Sequence, residues 1–485
     1  MSDSPIGIGL LGCGVVGSGV VRILREQREL LQERTGLRFD LRHVVVRDVT
    51  SHAAIAIHSE LPMTDDADAA IDDPGVAIVI EAVGGTREAG AYIERALRLG
   101  KPVITANKSL LASRGAELFA LARQHNTCIA FEASCGGGIP IIDAIARGMV
   151  GNRVDALVGI LNGTCNVILT RMTRSAWTYR QALEEAQRLG FAEADPYLDV
   201  SGRDTAQKLA LLAGLAFNVR VAESDIHVEG IEALQPTDIA FANELGYVIK
   251  LLAIAERSEV RGQRSGEERL EVRGQRSGGG AAHADPSSPD LQPLTSDLSR
   301  DLSTRLALRV HPTLVHKDDV LAEVSGGFNA ISVYGHALGH ALFYGRGAGQ
   351  MPTASAVVAD LVSVAMGVTP LMFKRLKIYP DVVPPAETVP MAQTQTRYYL
   401  RLMCRDQPGV MGHVAQILGQ HGISLSAIRQ PETDHVENVP VVITTHRAGE
   451  GPVREALREI DRLPTIVPPT VCLRVMEPPR EFAGG

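Results

Sequence analysis

Residues 6–24 read IGIGLLGCGVVGSGVVRIL. A short apolar run ends at Gly12, and glycine recurs as Gly12-x-Gly14-x-x-Gly17 just before a helical pattern begins. Glycines so spaced permit a tight turn and a close approach of backbone to a pyrophosphate, which the amides at the start of the next helix attract. Alone the motif is weak, but at the end of the first strand of a βαβ unit it is strong. The rest of the first 133 residues supplies that unit. LRHVVVR, VAIVIEAV, KPVITAN and TCIAFEA read as buried strands, and AGAYIERALRL and RGAELFALARQ read as amphipathic helices between them. Such alternation predicts a parallel sheet with helices on both faces. Residues 1–133 are therefore expected to form a Rossmann dinucleotide-binding domain, with Gly12, Gly14, Val15, Val16 and Gly17 against the coenzyme.

The second strand of that domain should end beside the adenine ribose, and it ends VVVRD. An acid there favours the free 2′-hydroxyl of NAD, and an arginine suits the 2′-phosphate of NADP. Arg47 comes first and Asp48 follows, so NADP is expected, with some use of NAD. The strand KPVIT runs into Ala106-Asn107-Lys108, which places Lys108 at the carboxyl edge of the sheet, where such folds bind ligands. A plain surface lysine is the competing reading.

Size and composition set the outer bounds. The chain has 485 residues and a mass of 51.9 kDa, enough for two to four domains. Apolar residues make up 45% and charged residues 21%, ordinary values for a soluble globular protein. A net charge of −8 without a basic stripe speaks against nucleic acid as partner. The N-terminus lacks the pattern of a secretory signal, and apolar stretches such as LALLAGLAF fall short of the roughly 18 residues needed to span a bilayer. The six cysteines show no paired short spacing, so neither a zinc site nor a disulfide framework is indicated. A reduced, cytoplasmic protein without membrane contact is expected.

From 134 to 375 the pattern turns to mixed strands and longer helices, an α+β region expected to carry catalysis and oligomerisation. It is interrupted between 257 and 300, where EVRGQRSG occurs at 259–266 and again at 271–278, followed by a Gly/Ser/Pro-rich run. Such sequence buries too little apolar surface to offset its ordering entropy, and the simplest reading is a tolerated flexible insertion. A Pro-rich linker at 376–396 leads to residues 397–475, whose βαββαβ order predicts a separate, ferredoxin-like antiparallel sandwich.

One stretch carries more charge than a core tolerates. Residues 191–214, FAEADPYLDVSGRDTAQKLALLAG, hold Glu193, Asp195, Asp199 and Asp204, with Lys208 four residues beyond on the same helical face. The bland account is an i,i+4 ion pair at a helix start that favours acids. The sharper account is a lysine leading into a buried apolar run, partly desolvated and able to donate a proton, with neighbouring carboxylates holding it charged or binding an amine.

Here a resemblance enters. GILNGTCNVILTRM (159–172), GFAEADPYLDVSGRDTAQKLALLA (190–213) and FYGRGAGQMPTASAVVADL (343–361) resemble, in that order behind a Rossmann domain, the sequence blocks of homoserine dehydrogenases. RDQPGVMGHVAQIL (405–418) resembles the start of an ACT domain, a regulatory tail of bacterial members. The resemblance implies NAD(P)-dependent interconversion of aspartate 4-semialdehyde and homoserine, in threonine and methionine biosynthesis. It implies Lys208 as proton donor to the carbonyl oxygen, Lys108 as a second lysine at coenzyme and substrate, and Glu193, Asp199 and Asp204 around the amino-acid substrate. Gly190 and Gly349 would touch the coenzyme. The loop EASCGGGIP resembles a monovalent-cation site, in which Glu132, Cys135, Gly137 and Ile139 would hold sodium. Gly409 in the tail would receive an effector, threonine first among them, and the tail would help to build a homodimer or homotetramer.

His336 stands where the resemblance leads one to expect an acid, and the insertion is a further departure. Two other functions compete. One is reductive dephosphorylation of an acyl phosphate, which needs a nucleophilic cysteine such as Cys135 or Cys165. The other is an amino-acid sensor with a decayed dehydrogenase in front.

Overall fold

The computed structural model describes residues 4–49, 61–258, 305–431 and 437–477. The opening apolar run becomes β1 (Ile6–Leu11), and β2 (Phe39–Val45), β3 (Met63–Thr64), β4 (Ile78–Glu81), β5 (Val103–Thr105) and β6 (Ile129–Ala130) complete one sheet. Its order is β3-β2-β1-β4-β5-β6 and its pairings are parallel. Ile8, Leu10, Leu11, Val79 and Ile80 are fully buried, so these strands read as continuous apolar runs rather than alternating ones. The order reverses between β1 and β4, and a crevice opens there at the carboxyl ends of the strands. β3 was not legible in the sequence, because two residues carry no periodic pattern. The helical pattern that begins after the glycines forms two helices divided at Gln27, Val15–Glu26 and Arg28–Thr35. Only the first piece buries apolar residues against the sheet; the second buries none, and so nothing keeps it on the same axis.

The second sheet is larger. Its strands are β7 (Val154–Ile160), β8 (His227–Val228), β9 (Tyr247–Ser258), β10 (Arg305–His316), β11 (Phe328–Gly335), β12 (Gly339–Arg346), β13 (Glu387–Thr388), β14 (Gln395–Arg405), β15 (Leu425–Arg429), β16 (Asn438–Thr445), β17 (Ala448–Gly449) and β18 (Ile466–Val475). The main path runs β12-β11-β7-β9-β10-β18-β14-β16-β15. The insertion begins slightly later than the sequence implied. Arg257 and Ser258 still belong to β9, paired with Leu306 and Arg305 of β10, because the ladder continues as long as the partner strand does. The repeated octapeptides lie outside the described residues. His336, unexplained by sequence, completes the irregular end of β11: its Nδ1 accepts from the Arg153 amide at 2.9 Å, and its own amide donates to the Arg153 carbonyl at 3.0 Å.

The C-terminal βαββαβ pattern forms the antiparallel order β18-β14-β16-β15, with its own apolar core around Tyr398, Val414 and Val453. It is not separate, as its sequence suggested. The outer edge of β10 is covered in turn by β13 at Arg305, β8 at Arg309 and β18 at Thr313, so the tail extends the large sheet and closes an edge that would otherwise be open. The linker is likewise tied down. Tyr379 packs among Phe119 and Phe373, and Asp381 accepts a hydrogen bond from Arg123 at 2.6 Å.

Buried charge reinforces the junction. Arg474 on β18, only 2% exposed, donates to Glu229 at 2.5 and 2.8 Å and to Glu450. Arg454 joins the same two carboxylates at 2.7 and 2.8 Å. Nearby, Arg401 holds Asp238 at 2.6 Å, and Asp238 has no exposed surface.

Candidate active site

The glycine loop takes the shape its sequence demands. Gly12 has φ +95°, and a Cβ there would lie 2.6 Å from the Ala82 carbonyl oxygen; a Cβ at Gly17 would lie 2.0 Å from the Gly12 carbonyl oxygen. Neither position admits a side chain. Gly14 caps the helix Val15–Glu26 and faces open space, Val15 is 68% exposed and Val16 half-buried, so the free amides of the first turn look into the crevice. Arg47 lies just past β2, exposed, at the same end of the sheet. Across the crevice the helix Gln350–Ala365 packs on the glycine-loop helix, where Gly19 leaves room for Ala354 and Gln350 donates to Ser18 at 2.9 Å. Gly349, the cap of that helix, is thereby set beside the first turn after the glycine loop.

A network that the sequence did not single out shapes the floor. Buried Glu81, at the end of β4, accepts from the Val83 and Gly84 amides at 2.9 and 3.0 Å and from the Thr105 hydroxyl at 2.6 Å. Asn107 donates to the Gly85 carbonyl at 2.6 Å and caps the helix Lys108–Gln124 by accepting from the Leu110 amide. That cap fixes where Lys108 begins its helix, and Lys108 reaches out of the nucleotide sheet to Asp204, 3.2 Å away.

Asp204 and Lys208 start the helix Arg203–Phe217, on its buried face. Lys208 donates to Asp204 Oδ2 at 2.7 Å and to the Leu161 carbonyl at 2.8 Å. Burial disfavours its ammonium, but the Asp204 carboxylate outweighs burial and holds the pKa above the ordinary lysine value. For Asp204 burial pushes the other way, yet Lys208 and Lys108 prevail and bring the carboxyl down to about 2. Asn162 ties in a second acid, its amide donating to Asp199 at 2.7 Å and to Asp204 at 2.8 Å. Burial and the neighbouring Asp204 charge raise the Asp199 pKa. Asn162 also caps the helix Gly163–Ser175 through the Cys165 amide, and an asparagine ahead of a helical run is the signal that could have found it.

The structure therefore brings Lys108, Asp199, Asp204 and Lys208 together. Glu193 stays on the exposed loop after Gly190, and Gly190 ends the helix Tyr179–Arg188 with φ +75°. The assembled group can hold one proton on Lys208 beside two carboxylates, at the mouth of a dinucleotide crevice.

In the loop EASCGGGIP the side chain of Glu132 is already engaged. The Glu132 side chain accepts from the Ile142 and Asp143 amides at 2.9 and 2.8 Å, which engages both its oxygens, and burial raises its pKa to about 7. Gly136 and Gly137, at φ +74° and +59°, turn the loop so that its main chain rather than its side chains is the available oxygen source. Among the described residues, no group of three or more His, Cys, Asp or Glu side chains could hold a metal ion. Cys135 and Cys165 are fully buried, and burial pushes the Cys135 thiol up to about 12 and the Cys165 thiol well above its usual value. Neither is the thiolate that acyl-phosphate chemistry would need. In the tail, Gly409 at φ +93° caps the helix Val410–Gln420 and leaves open space around its Cα. No single helix among the described residues is long and apolar enough to cross a membrane.

Comparison with known proteins agrees with this assembly. The family model for homoserine dehydrogenase matches residues 140–362, that for the homoserine dehydrogenase NAD-binding domain matches 12–132, and that for the ACT domain matches 398–465. A homoserine dehydrogenase of Synechocystis is 39% identical over 481 residues, covering 97% of this chain and 99% of its own length. One from Pseudomonas aeruginosa is 36% identical over 475 residues, with 97% and 99% covered. The crystal structure of a homoserine dehydrogenase from Thiobacillus denitrificans superposes with a TM-score of 0.84 at 36% identity, over 98% of this chain and 99% of that one. A hyperthermophilic archaeal homoserine dehydrogenase solved in complex with NADPH shares the fold, with a TM-score of 0.56 at 20% identity over 75% of this chain and 98% of its own. With near full-length relatives above 30% identity, a dinucleotide crevice and an ion-paired lysine beside it, this chain belongs to the homoserine dehydrogenase family, NAD(P)-dependent oxidoreductases that act on a CH–OH group.

Proposed function

We propose that the protein interconverts L-homoserine and L-aspartate 4-semialdehyde with NADP(H), in threonine and methionine biosynthesis, and that Lys208 moves the proton at the reacting oxygen. The observation that carries this is the Lys208 ammonium, held at 2.7 Å by Asp204 and 2.8 Å by the Leu161 carbonyl, with a third N–H left for a substrate oxygen. Gly12, Gly14, Val15, Val16 and Gly17 would hold a nicotinamide coenzyme, whose chemistry there would be hydride transfer. Lys208 gives its proton to the aldehyde oxygen in reduction and recovers one from the hydroxyl in oxidation. Asp204 keeps the ammonium charged, Lys108 screens the carboxylate pair, and Asp199 with Asp204 receives the substrate ammonium. Glu193 would close on that ammonium from its exposed loop, and Gly190 and Gly349 would border the coenzyme. Sodium would be held by main-chain oxygens of Glu132, Cys135, Gly137 and Ile139, in keeping with side chains already engaged elsewhere. Residues 1–133, 134–375 and 397–475, joined by 376–396, would form the three domains of a cytoplasmic homodimer or homotetramer.

Absorbance assays with homoserine and each coenzyme test the proposal, with sodium or potassium present. The expected result is turnover with NADP. Binding of NADPH without turnover of either substrate would transfer the argument to the sensor reading. Coenzyme choice is assigned to Arg47, exposed beside the glycine loop with its charge available to a 2′-phosphate. Arg47→Ala is expected to weaken NADP by about 10- to 100-fold, the worth of one or two charge-assisted hydrogen bonds, and to leave NAD nearly untouched. Equal weakening of both would remove Arg47 from phosphate recognition. Threonine is the proposed effector at Gly409, where free helix amides can receive a carboxylate. Millimolar L-threonine should inhibit the full chain, and a bulky Gly409→Val should abolish that inhibition while basal turnover survives. Inhibition that is unchanged in Gly409→Val would put the effector elsewhere.

A further inference from the structure

Asn329 plays no part in the chemistry described so far, yet it has no exposed surface and stands one ladder step from the active-site carbonyl. It lies on β11, facing Gly345 of β12, and the next residue, Ala330, pairs with Ile160 at the end of β7. Its Nδ2 donates to the Leu161 carbonyl at 3.0 Å. That is the same oxygen that receives Lys208 at 2.8 Å. The reverse orientation of the amide would set two oxygens against each other, so the partner determines which end donates.

The opposite side of the amide is equally constrained. A Cβ at Gly347 would lie 2.0 Å from Asn329 Cγ and 2.1 Å from its Nδ2, so the amide rests directly on the bare Cα of Gly347. Gly347 in turn meets the cation loop: a Cβ at Gly137 would lie 2.6 Å from the Gly347 carbonyl carbon, and the Gly138 amide donates to the Arg346 carbonyl at 3.1 Å. Two residues beyond Gly347, Gly349 opens the helix that packs on the glycine-loop helix. One side chain thus touches the acceptor of the catalytic lysine and the loop that leads to the coenzyme.

Its oxygen is the odd feature. Asn329 Oδ1 is buried and has no hydrogen-bond partner among the described residues. A residue needed only to fill space would be better as leucine, since an unsatisfied buried acceptor is a net cost. Polarity kept at a loss of stability indicates that the donor end is required.

Resting on the reading of Lys208 as the proton-transfer group, we propose that Asn329 is a positioning residue for the reaction: by fixing the Leu161 carbonyl against the Gly347 loop, it sets the line along which Lys208 presents its proton. Leu161 follows the last residue of β7 and has no strand partner of its own, so without Asn329 its carbonyl has only the flexible lysine to orient it. A displacement of about 1 Å at such a point is enough for a large loss of rate, because proton transfer depends on alignment.

The test compares Asn329→Leu and Asn329→Asp with the native protein and with Lys208→Ala. Leucine keeps the volume and removes both polar ends; aspartate keeps the shape, and its ionised form cannot donate to the carbonyl. Turnover is expected to fall by at least about 10-fold in both. KM for homoserine and the dissociation constant of NADPH should stay within about 3-fold, and the melting temperature of Asn329→Leu should be unchanged or higher. Native turnover in either folded variant overturns the proposal. So does a joint loss of turnover, NADPH binding and melting temperature in both, which would make Asn329 a structural residue only. Should Lys208→Ala keep its turnover, the reading of Lys208 fails first, and that outcome is distinct from native turnover in the Asn329 variants alone.

Discussion

Lys208→Ala is expected to lose about 10² to 10⁴ in turnover, the range for removing a general acid, with little change in KM for homoserine. The expectation follows from where the ammonium is held: two of its three hydrogens go to Asp204 and the Leu161 carbonyl, and the third is free. Lys208→Arg separates the two roles this residue could have. Guanidinium can keep the ion pair with Asp204, but it surrenders a proton with far more difficulty than ammonium. Folded Lys208→Arg with NADPH binding intact and turnover still lost identifies proton transfer as the missing function. Near-native turnover in Lys208→Ala would return the residue to an ordinary ion pair.

The same electrostatics give a pH signature. Asp204 holds the Lys208 pKa above its usual 10.5, so the acid form is fully populated through neutrality. Reduction of the aldehyde uses that form and should be flat in pH until the alkaline range. Oxidation of homoserine needs the neutral amine and should climb steadily with pH. Rate profiles measured in both directions check this, and parallel profiles would be inconsistent with proton transfer by Lys208.

Arg474→Leu is expected to cost about 3–5 kcal/mol, the range for breaking a buried ion pair by removing one partner. Glu229 and Glu450 would then share Arg454, with His227 beside Glu229, and much of their charge would be left uncompensated in the interior. Urea unfolding at neutral pH measures the loss. A change below about 1 kcal/mol would mean that the cluster behaves like a surface pair. Acid should mimic the substitution. Burial pushes the Glu229 and Glu450 carboxyls up, but the His227 and arginine partners outweigh it and hold both below their ordinary 4.5. A depressed acid stabilises the fold above its unfolded pKa and loses that contribution as pH falls. Stability should therefore drop as pH is lowered from about 4.5, and Arg474→Leu should flatten that dependence. Because the Glu229 amide is bonded to Val310 and the Ile231 amide to Val200, the disturbance lies four residues from Asp204, and turnover should fall along with stability.

Much of the architecture was legible because it depends on local chemistry. Gly12 and Gly17 are written into the sequence by contacts no side chain could survive, and the strand runs of the first sheet are continuous because both of its faces are covered. The spacing of Asp204 and Lys208 placed both on one helical face, and the apolar run after them implied burial, but whether they formed a plain ion pair or a reactive one stayed open.

Other features depend on what meets what across the chain. β3 is only two residues long and exists because β2 offers an edge. The tail reads as a closed βαββαβ unit, yet β18 joins β10 at Thr313, since β13 and β8 leave that part of the edge uncovered. The Glu132 carboxylate accepts from two helix amides ten and eleven residues away, an engagement that no local pattern announces. By itself the sequence determined a dinucleotide fold, an acid-flanked lysine and a βαββαβ tail, because periodicity, glycine spacing and i,i+4 geometry act over a few residues. Only the tertiary structure decided that Lys108, Asn162 and the Leu161 carbonyl converge on Asp204 and Lys208, because those contacts join residues 42 to 96 positions apart, and no local pattern encodes a partner at that distance.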